Sequence, residues 1–328
     1  MKAAQIKQYG GPKVLKTVKN VPKPKIREGF VLVEVYAAAV NPFDWKVRSG
    51  LAQSMAQLDF PAILGGDFSG IVTEIGEAVS SVKLGDAVFG QANALGGQGS
   101  FADYTLVKAE SLASKPQSVD FLTAAALPLT AVSAYQALVE NGKLKSGQKI
   151  LIHGGSGGIG SIAIQLAKHL GAFVATTTDS TGIEYVRNLG ADKLIDYKNQ
   201  DFTKLVKNYD MVYDTVGGQS YQKSYQTLRP GGLIVSMVEQ PNQQLMDQYK
   251  VTAINQFTQV NTRRLNKVAK LVENAVLRVH IDKVFSLEQA GIALGYLQTG
   301  HPHGKVVLKV KNPQAGSYHI TAKKTAIG

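Results

Sequence analysis

Cysteine is missing from the 328-residue chain. Its absence excludes disulfides, thiolate zinc sites and cysteine nucleophiles together. Imidazole is scarce as well, with 6 histidines, and tryptophan occurs once, as Trp45. Long apolar runs are lacking: no segment approaches the roughly 20 residues that cross a bilayer, and the opening MKAAQIKQYGG has no secretory-type apolar stretch. The cytoplasm is therefore the expected compartment, with no membrane partner. Blocks of like charge are also absent. The formal net charge is +12, from 36 basic and 24 acidic residues, yet the lysines are scattered, Lys13 to Lys25 being the densest stretch. Aromatics do not interleave with them, which favours a solvated basic surface over a nucleic-acid groove.

Glycine, by contrast, is concentrated. Residues 149–178 read KILIHGGSGGIGSIAIQLAKHLGAFVATTT, a buried strand, a glycine turn, an amphipathic helix beginning near Ser161 and a second strand. The turn holds 5 glycines in 7 residues and fits G-x-G-x-x-G as Gly155-x-Gly157-x-x-Gly160. Glycines let backbone approach a pyrophosphate, and the N–H groups and positive end of the following helix attract its charge. Gly155, Ser156, Gly157, Gly158, Ile159 and Gly160 are thus the expected dinucleotide cradle, and the basic balance of the chain suits an anionic cofactor.

At this length two domains are expected. From the glycine turn onward, short apolar strands recur at Ile150, Phe173–Thr177, Lys193–Asp196, Met211–Val216, Leu233–Met237 and near Val251–Ile254, mostly separated by helical stretches. Such alternation predicts an α/β fold with a doubly wound parallel sheet, a Rossmann domain over 125–278. Residues 30–39, 69–79, 86–90 and 101–108 are strand-like runs divided by Gly, Pro and Asp turns, which predicts a mostly antiparallel first domain. A helix from Thr262 to about Arg278, a strand Ile281–Phe285, a helix near Leu287–Gln298 and a strand Lys305–Val310 then follow. The expected division assigns 1–124 and 279–328 to the first domain; nothing is read into the tail from Lys311.

The order and spacing of AAAVNPFDWKVRSG at 37–50, FPAILGGDFSGIV at 60–72, VKLGDAVFG at 82–90, GSFADY at 99–104, LPLTAVSAYQAL at 127–138, HGGSGGIG at 153–160, LGADKLIDY at 189–197, YDTVGG at 213–218 and GKVVL at 304–308 are informative. Together they resemble the zinc-free quinone oxidoreductases and enone reductases of the medium-chain dehydrogenase/reductase superfamily, zeta-crystallin-like proteins included. The resemblance implies a GroES-like first domain, a homodimer and hydride transfer from a nicotinamide to a conjugated carbonyl, a quinone or an enone. Where zinc-dependent members of the superfamily carry a His-Glu pair this chain has Gly66-Asp67, and Asn41-Pro42-Phe43-Asp44 stands where they supply a cysteine. A tetrahedral metal site lacks its ligands there. His301 and His303, two apart in a Pro-containing turn, read as surface.

Hydrogen-bond donors replace a metal when the acceptor is already conjugated. The resemblance places Asn41 and Thr130 near the nicotinamide and substrate, Asn41 orienting the ring or the acceptor carbonyl and Thr130 bonding near the carboxamide, with Val216 and Gly217 also at the cofactor. Turn chemistry at Asn41-Pro42 and helix capping or packing at Thr130 are the competing structural roles. Trp45 lies where relatives place a tyrosine, and either walls the pocket or fills core. Solvent, Asp44 and Tyr135 are the candidate proton sources.

Cofactor choice is contested. Asp179 stands 19 residues after Gly160, where an acid grips ribose hydroxyls and favours NADH; it also suits a helix cap. Thr178, Ser180, Thr181 and Tyr197 match the segment that meets the 2′-phosphate in NADPH-using relatives, and NADPH is the favoured cofactor. No basic residue is evident there, Arg187 lying farther along the helix. Three other readings are weighed. A short-chain dehydrogenase would need a Tyr-x-x-x-Lys, which does not follow residue 160. A catalytically idle nucleic-acid-binding or structural protein would bind RNA with steep salt dependence. An enoyl-thioester reductase shares the chemistry and differs in pocket size.

Overall fold

The computed structural model describes residues 1–55 and 57–312; of the expected first domain, 313–328 lie outside the described residues. Six strands form one wholly parallel sheet in the order Lys193–Asp196, Phe173–Thr178, Lys149–His153, Tyr209–Asp214, Leu228–Ser236, Thr252–Asn255. Ile150, Leu151 and Ile152 are all fully buried, because helices cover both faces and leave no side for alternation. Val186, Ala163 and Val268 lie in the core on one face, Phe202, Tyr221 and Tyr225 in that on the other.

Ahead of it, a mostly antiparallel sheet is organised around the long strand Phe30–Val40, which pairs with Asp67–Ile75 and with Tyr104–Lys108. The returning strand Lys305–Lys309 pairs antiparallel with its far end, Val306 opposite Val40. This single pairing brings position 305 beside position 41. The antiparallel sheet thus takes strands from both before and after the parallel sheet in the chain.

Local chemistry sets several boundaries. The helix Thr262–Glu273 starts where the Asn261 side chain accepts from the Arg264 N–H at 3.0 Å. It stops short of the expected Arg278 because Ala275 turns left-handed, at φ 57°, and Val276 N–H bonds back to the Leu271 carbonyl. The helix Pro128–Tyr135 continues as one π-helical stretch, Gln136–Asn141, a feature without a sequence signal.

Candidate active site

The strand order reverses at Lys149–His153, whose chain successor lies on one side and Tyr209–Asp214 on the other. In an open parallel sheet a ligand crevice forms at that point, beyond the carboxyl ends of the strands. A cleft of about 220 Å³ lies there. Its walls bring together Asn41, Thr130, Gly157–Gly160, Thr215 and the segment Gly304-Lys305.

The glycines of the turn serve different ends. A Cβ on Gly155 would lie 2.0 Å from Thr176 Oγ1, and one on Gly160 would lie 2.1 Å from the Gly154 carbonyl oxygen; both positions are closed by the fold itself. Gly154 is left-handed, at φ +71°. Around Gly157 there is room: a Cβ would meet only the Gly154 oxygen, at 3.4 Å. The helix spans Gly158–His169, three residues earlier than Ser161, with Gly157 as its N-cap. Its first intrahelical donor is the Ser161 N–H, so the N–H groups of Gly158, Ile159 and Gly160 remain for a ligand at the cleft. Ser156 accepts through its carbonyl from Gly304 N–H at 2.8 Å, and through its hydroxyl from Thr178 at 2.9 Å.

At the other end of the cleft a buried polar cluster surrounds Asn41. The Asn41 side chain donates from Nδ2 to Asp67 Oδ2 at 3.0 Å, and its Oδ1 accepts from the Lys305 ammonium. Lys305 also donates to the Val40 carbonyl at 3.1 Å. Asp67 further accepts from Gln91 Nε2 and from the Leu129 N–H, each at 3.1 Å. Asp44 takes the Asn41 N–H at 2.7 Å, a capping box at the start of the helix Pro42–Ser49. Asn41, Asp44, Asp67 and Lys305 are all 3% exposed or less. Burial pushes the Asp44 carboxyl up to about 7, with the Asp67 charge adding to it and the Asn41 N–H opposing it. Burial likewise raises Asp67 and lowers Lys305. Thr130 donates its hydroxyl hydrogen to the Ala126 carbonyl at 2.8 Å, which leaves its oxygen to accept.

Asp179 caps the short turn Ser180–Gly182 ahead of the helix Ile183–Asn188. Its Oδ1 accepts from Thr181 Oγ1 at 2.7 Å and Gly182 N–H at 3.1 Å. The Thr181 hydroxyl, then the Gly182 N–H and the Lys198 charge, hold it below the usual carboxylate range. Lys198 Nζ stands 3.6 Å from Asp179 Oδ2. A basic group is therefore present in this segment, contrary to the sequence reading, on the strand-end loop that carries half-exposed Tyr197. Ser180 donates to Asp196 at 2.6 Å, and Arg187 is engaged by Glu184. His303 Nε2 lies 3.3 Å from Thr181 Oγ1 and its ring stacks on Tyr185.

At the end of Tyr209–Asp214, the N–H groups of Val216 and Gly217 bond Asp214 Oδ1 at 3.1 and 2.9 Å, and Gly217 is left-handed, at φ +81°. Val216 is thereby left exposed next to Thr215 in the cleft wall. Trp45 is half-buried against the core of the antiparallel sheet, and Tyr135 packs on that of the parallel sheet; neither is among the residues that line the cleft.

Comparison with known proteins places this geometry. Residues 27–117 match an alcohol dehydrogenase GroES-like domain and residues 189–308 a zinc-binding dehydrogenase domain. The chain is 38% identical over 320 residues to the 2-methylene-furan-3-one reductase of Solanum lycopersicum, covering 94% of this chain and 79% of that one. Against the chloroplastic NADPH-dependent alkenal/one oxidoreductase of Arabidopsis thaliana it is 36% identical, with the same coverage. The quinone oxidoreductase of Coxiella burnetii superposes with a TM-score of 0.88 at 36% identity, over 95% of this chain and 99% of that one. The chain belongs to the quinone and enone oxidoreductases of the medium-chain dehydrogenase/reductase superfamily.

In this oxidoreductase the donor set does not suit the zinc that one family description names. Among the described residues no three His, Cys, Asp or Glu side chains converge. The carboxylates of Asp44 and Asp67 already face the Lys305 ammonium, whose charge opposes a second cation. Sequence reasoning missed Lys305 and Lys198, and it read Asp67 only as a replaced ligand. The available signal was chemical: a lysine opening a strand of buried valines and leucine is rare unless it is paired.

Proposed function

We propose that the protein is an NADPH-dependent, zinc-independent reductase of conjugated carbonyl compounds, quinones or α,β-unsaturated ketones and aldehydes. One observation carries this reading: the glycine cradle and Asn41 line the same cleft. The closed positions Gly155 and Gly160 and the open one at Gly157 fit a pyrophosphate, which the N–H groups of Gly158, Ile159 and Gly160 would hold. The bound cofactor supplies a hydride. The chain's own part is to seat a flat acceptor between Thr130 and Asn41 and exclude water. The acceptor's oxygen gains negative charge as the hydride adds to its β-carbon, and an Asn41 N–H offsets that charge. A proton from solvent completes the product, the saturated carbonyl compound from an enone or enal and the hydroquinone from a quinone.

The test is a panel of quinones, 2-alkenals and enones with NADPH and NADH, using chelator-treated protein. Turnover that survives the chelator is expected; stoichiometric zinc whose removal abolishes turnover would overturn the zinc-independent part. For the cofactor, Lys198 and Tyr197 beside Asp179 support NADPH. Asp179→Ser should raise the NADPH-to-NADH affinity ratio about tenfold, because a charge near the 2′ position is lost while serine still caps the turn. An unchanged ratio, titrated at one ionic strength, would remove Asp179 from the ribose site. Residence in the cytoplasm and a homodimer belong to the same proposal. The parallel sheet ends in Thr252–Asn255 with one edge unpaired among the described residues, a place where a second copy could add. Among those residues no helix is long and apolar enough to cross a membrane.

A further inference from the structure

The Asn41 amide is held at both ends by charged groups. A flipped amide would set its NH2 against the Lys305 ammonium and its oxygen against the Asp67 carboxylate, two repulsive contacts in a buried place, so one orientation survives. An amide nitrogen carries two hydrogens, and Asp67 takes one of them.

We propose that Lys305 is a positioning residue for hydride transfer: with Asp67 it clamps the Asn41 amide so that the second Nδ2–H is presented to the acceptor's carbonyl oxygen. The clamp rests on the conjugated-carbonyl reading above. Its anchors are backbone-deep. Lys305 is fixed by the Val40 carbonyl and by the pairing of its strand with Phe30–Val40, and Asp67 by Gln91 and the Leu129 N–H, next to Thr130. The ammonium on Oδ1 also draws electron density from the amide, which strengthens the remaining N–H as a donor. Lys305 thus acts through Asn41, and only while it is protonated. The titratable groups that face it are Asp67, from the strand Asp67–Ile75, and Asp44, from the helix Pro42–Ser49.

The experiment measures kcat for an enone in wild type, Lys305→Met, Lys305→Arg, Asn41→Ala and the double variant Asn41→Ala/Lys305→Met, with NADPH binding titrated alongside. Lys305→Met should lower kcat about a hundredfold, the usual cost of a lost oxyanion donor, while NADPH affinity moves less than about twofold. Lys305→Arg, which keeps the charge, should recover part of the loss. In the Asn41→Ala background the lysine change should cost less than about threefold, since the amide it orients is gone. Equal losses in both backgrounds, or an unchanged kcat in Lys305→Met, would overturn the clamp.

Should Lys305→Met fail to fold, the pH profile decides. Wild-type kcat should fall on the alkaline side, below the ordinary lysine range, as Lys305 loses its proton, and Asn41→Ala should lack that limb. An alkaline limb that persists unchanged in Asn41→Ala would overturn the clamp by itself. Wild type that reduces no conjugated acceptor would overturn the functional reading and the clamp with it, whereas an active wild type with an equally active Lys305→Met overturns the clamp alone.

Discussion

Gly157→Val is expected to fold and to lose dinucleotide binding by at least about tenfold, or 1.4 kcal/mol, whereas Gly160→Val is expected to destabilise the fold. The backbone at Gly157 is extended, at φ −75°, which any residue adopts, and a Cβ there would meet only the Gly154 oxygen at 3.4 Å. Its side chain would enter the space at the helix N-terminus where a pyrophosphate must approach. At Gly160 a Cβ would stand 2.1 Å from that same Gly154 oxygen and 2.8 Å from Gly155 Cα. Backbone must then move between the strand and the helix, at about 3 kcal/mol or more. Urea melts and NADPH titrations of both variants separate the two effects. A Gly157→Val protein that binds NADPH as tightly as wild type would refute the cradle's placement; a Gly160→Val protein as stable as wild type would refute its packing role.

The second large effect concerns Asp44. Its carboxyl is raised from 3.8 to about 7, chiefly by burial. Between those values the folded protein keeps a proton that the unfolded chain releases, so the folded state binds more protons and stability falls as pH rises. The contribution is fully present below about 3.8 and is lost as pH passes about 7. Its upper size is about 4 kcal/mol, from 1.36 kcal/mol per tenfold change. Asp44→Asn removes the titration. The stability difference, mutant minus wild type, should shift in the mutant's favour from pH 4 to pH 8. Taking that difference cancels the groups common to both proteins. A difference that stays flat across this range would show that Asp44 is ionised in the folded state throughout.

How far the sequence carries depends on whether a feature is local. The glycine cradle was legible because gripping a pyrophosphate takes consecutive residues, Gly155 to Gly160, and the parallel sheet was legible because each buried strand declares itself by its own apolar run. The Asn41 cluster was not legible, since its partners lie 26 residues away at Asp67 and 264 away at Lys305. The antiparallel pairings of Phe30–Val40 with Asp67–Ile75 and with Lys305–Lys309 join them. Among 36 basic residues, one lysine in GKVVL looks like any other until its burial is known. Lys198 escaped for a related reason. It follows Tyr197 directly, but its reach toward Asp179 crosses from one strand end to the next.

The most direct measurement follows the hydride. With chelator-treated protein, NADPH dideuterated at C4 of the nicotinamide and an α,β-unsaturated ketone, the product is analysed by mass spectrometry and NMR. One deuterium at the β-carbon and one solvent-derived hydrogen at the α-carbon are predicted. A product carrying no label, or label transfer that appears only after zinc is restored, would contradict the account.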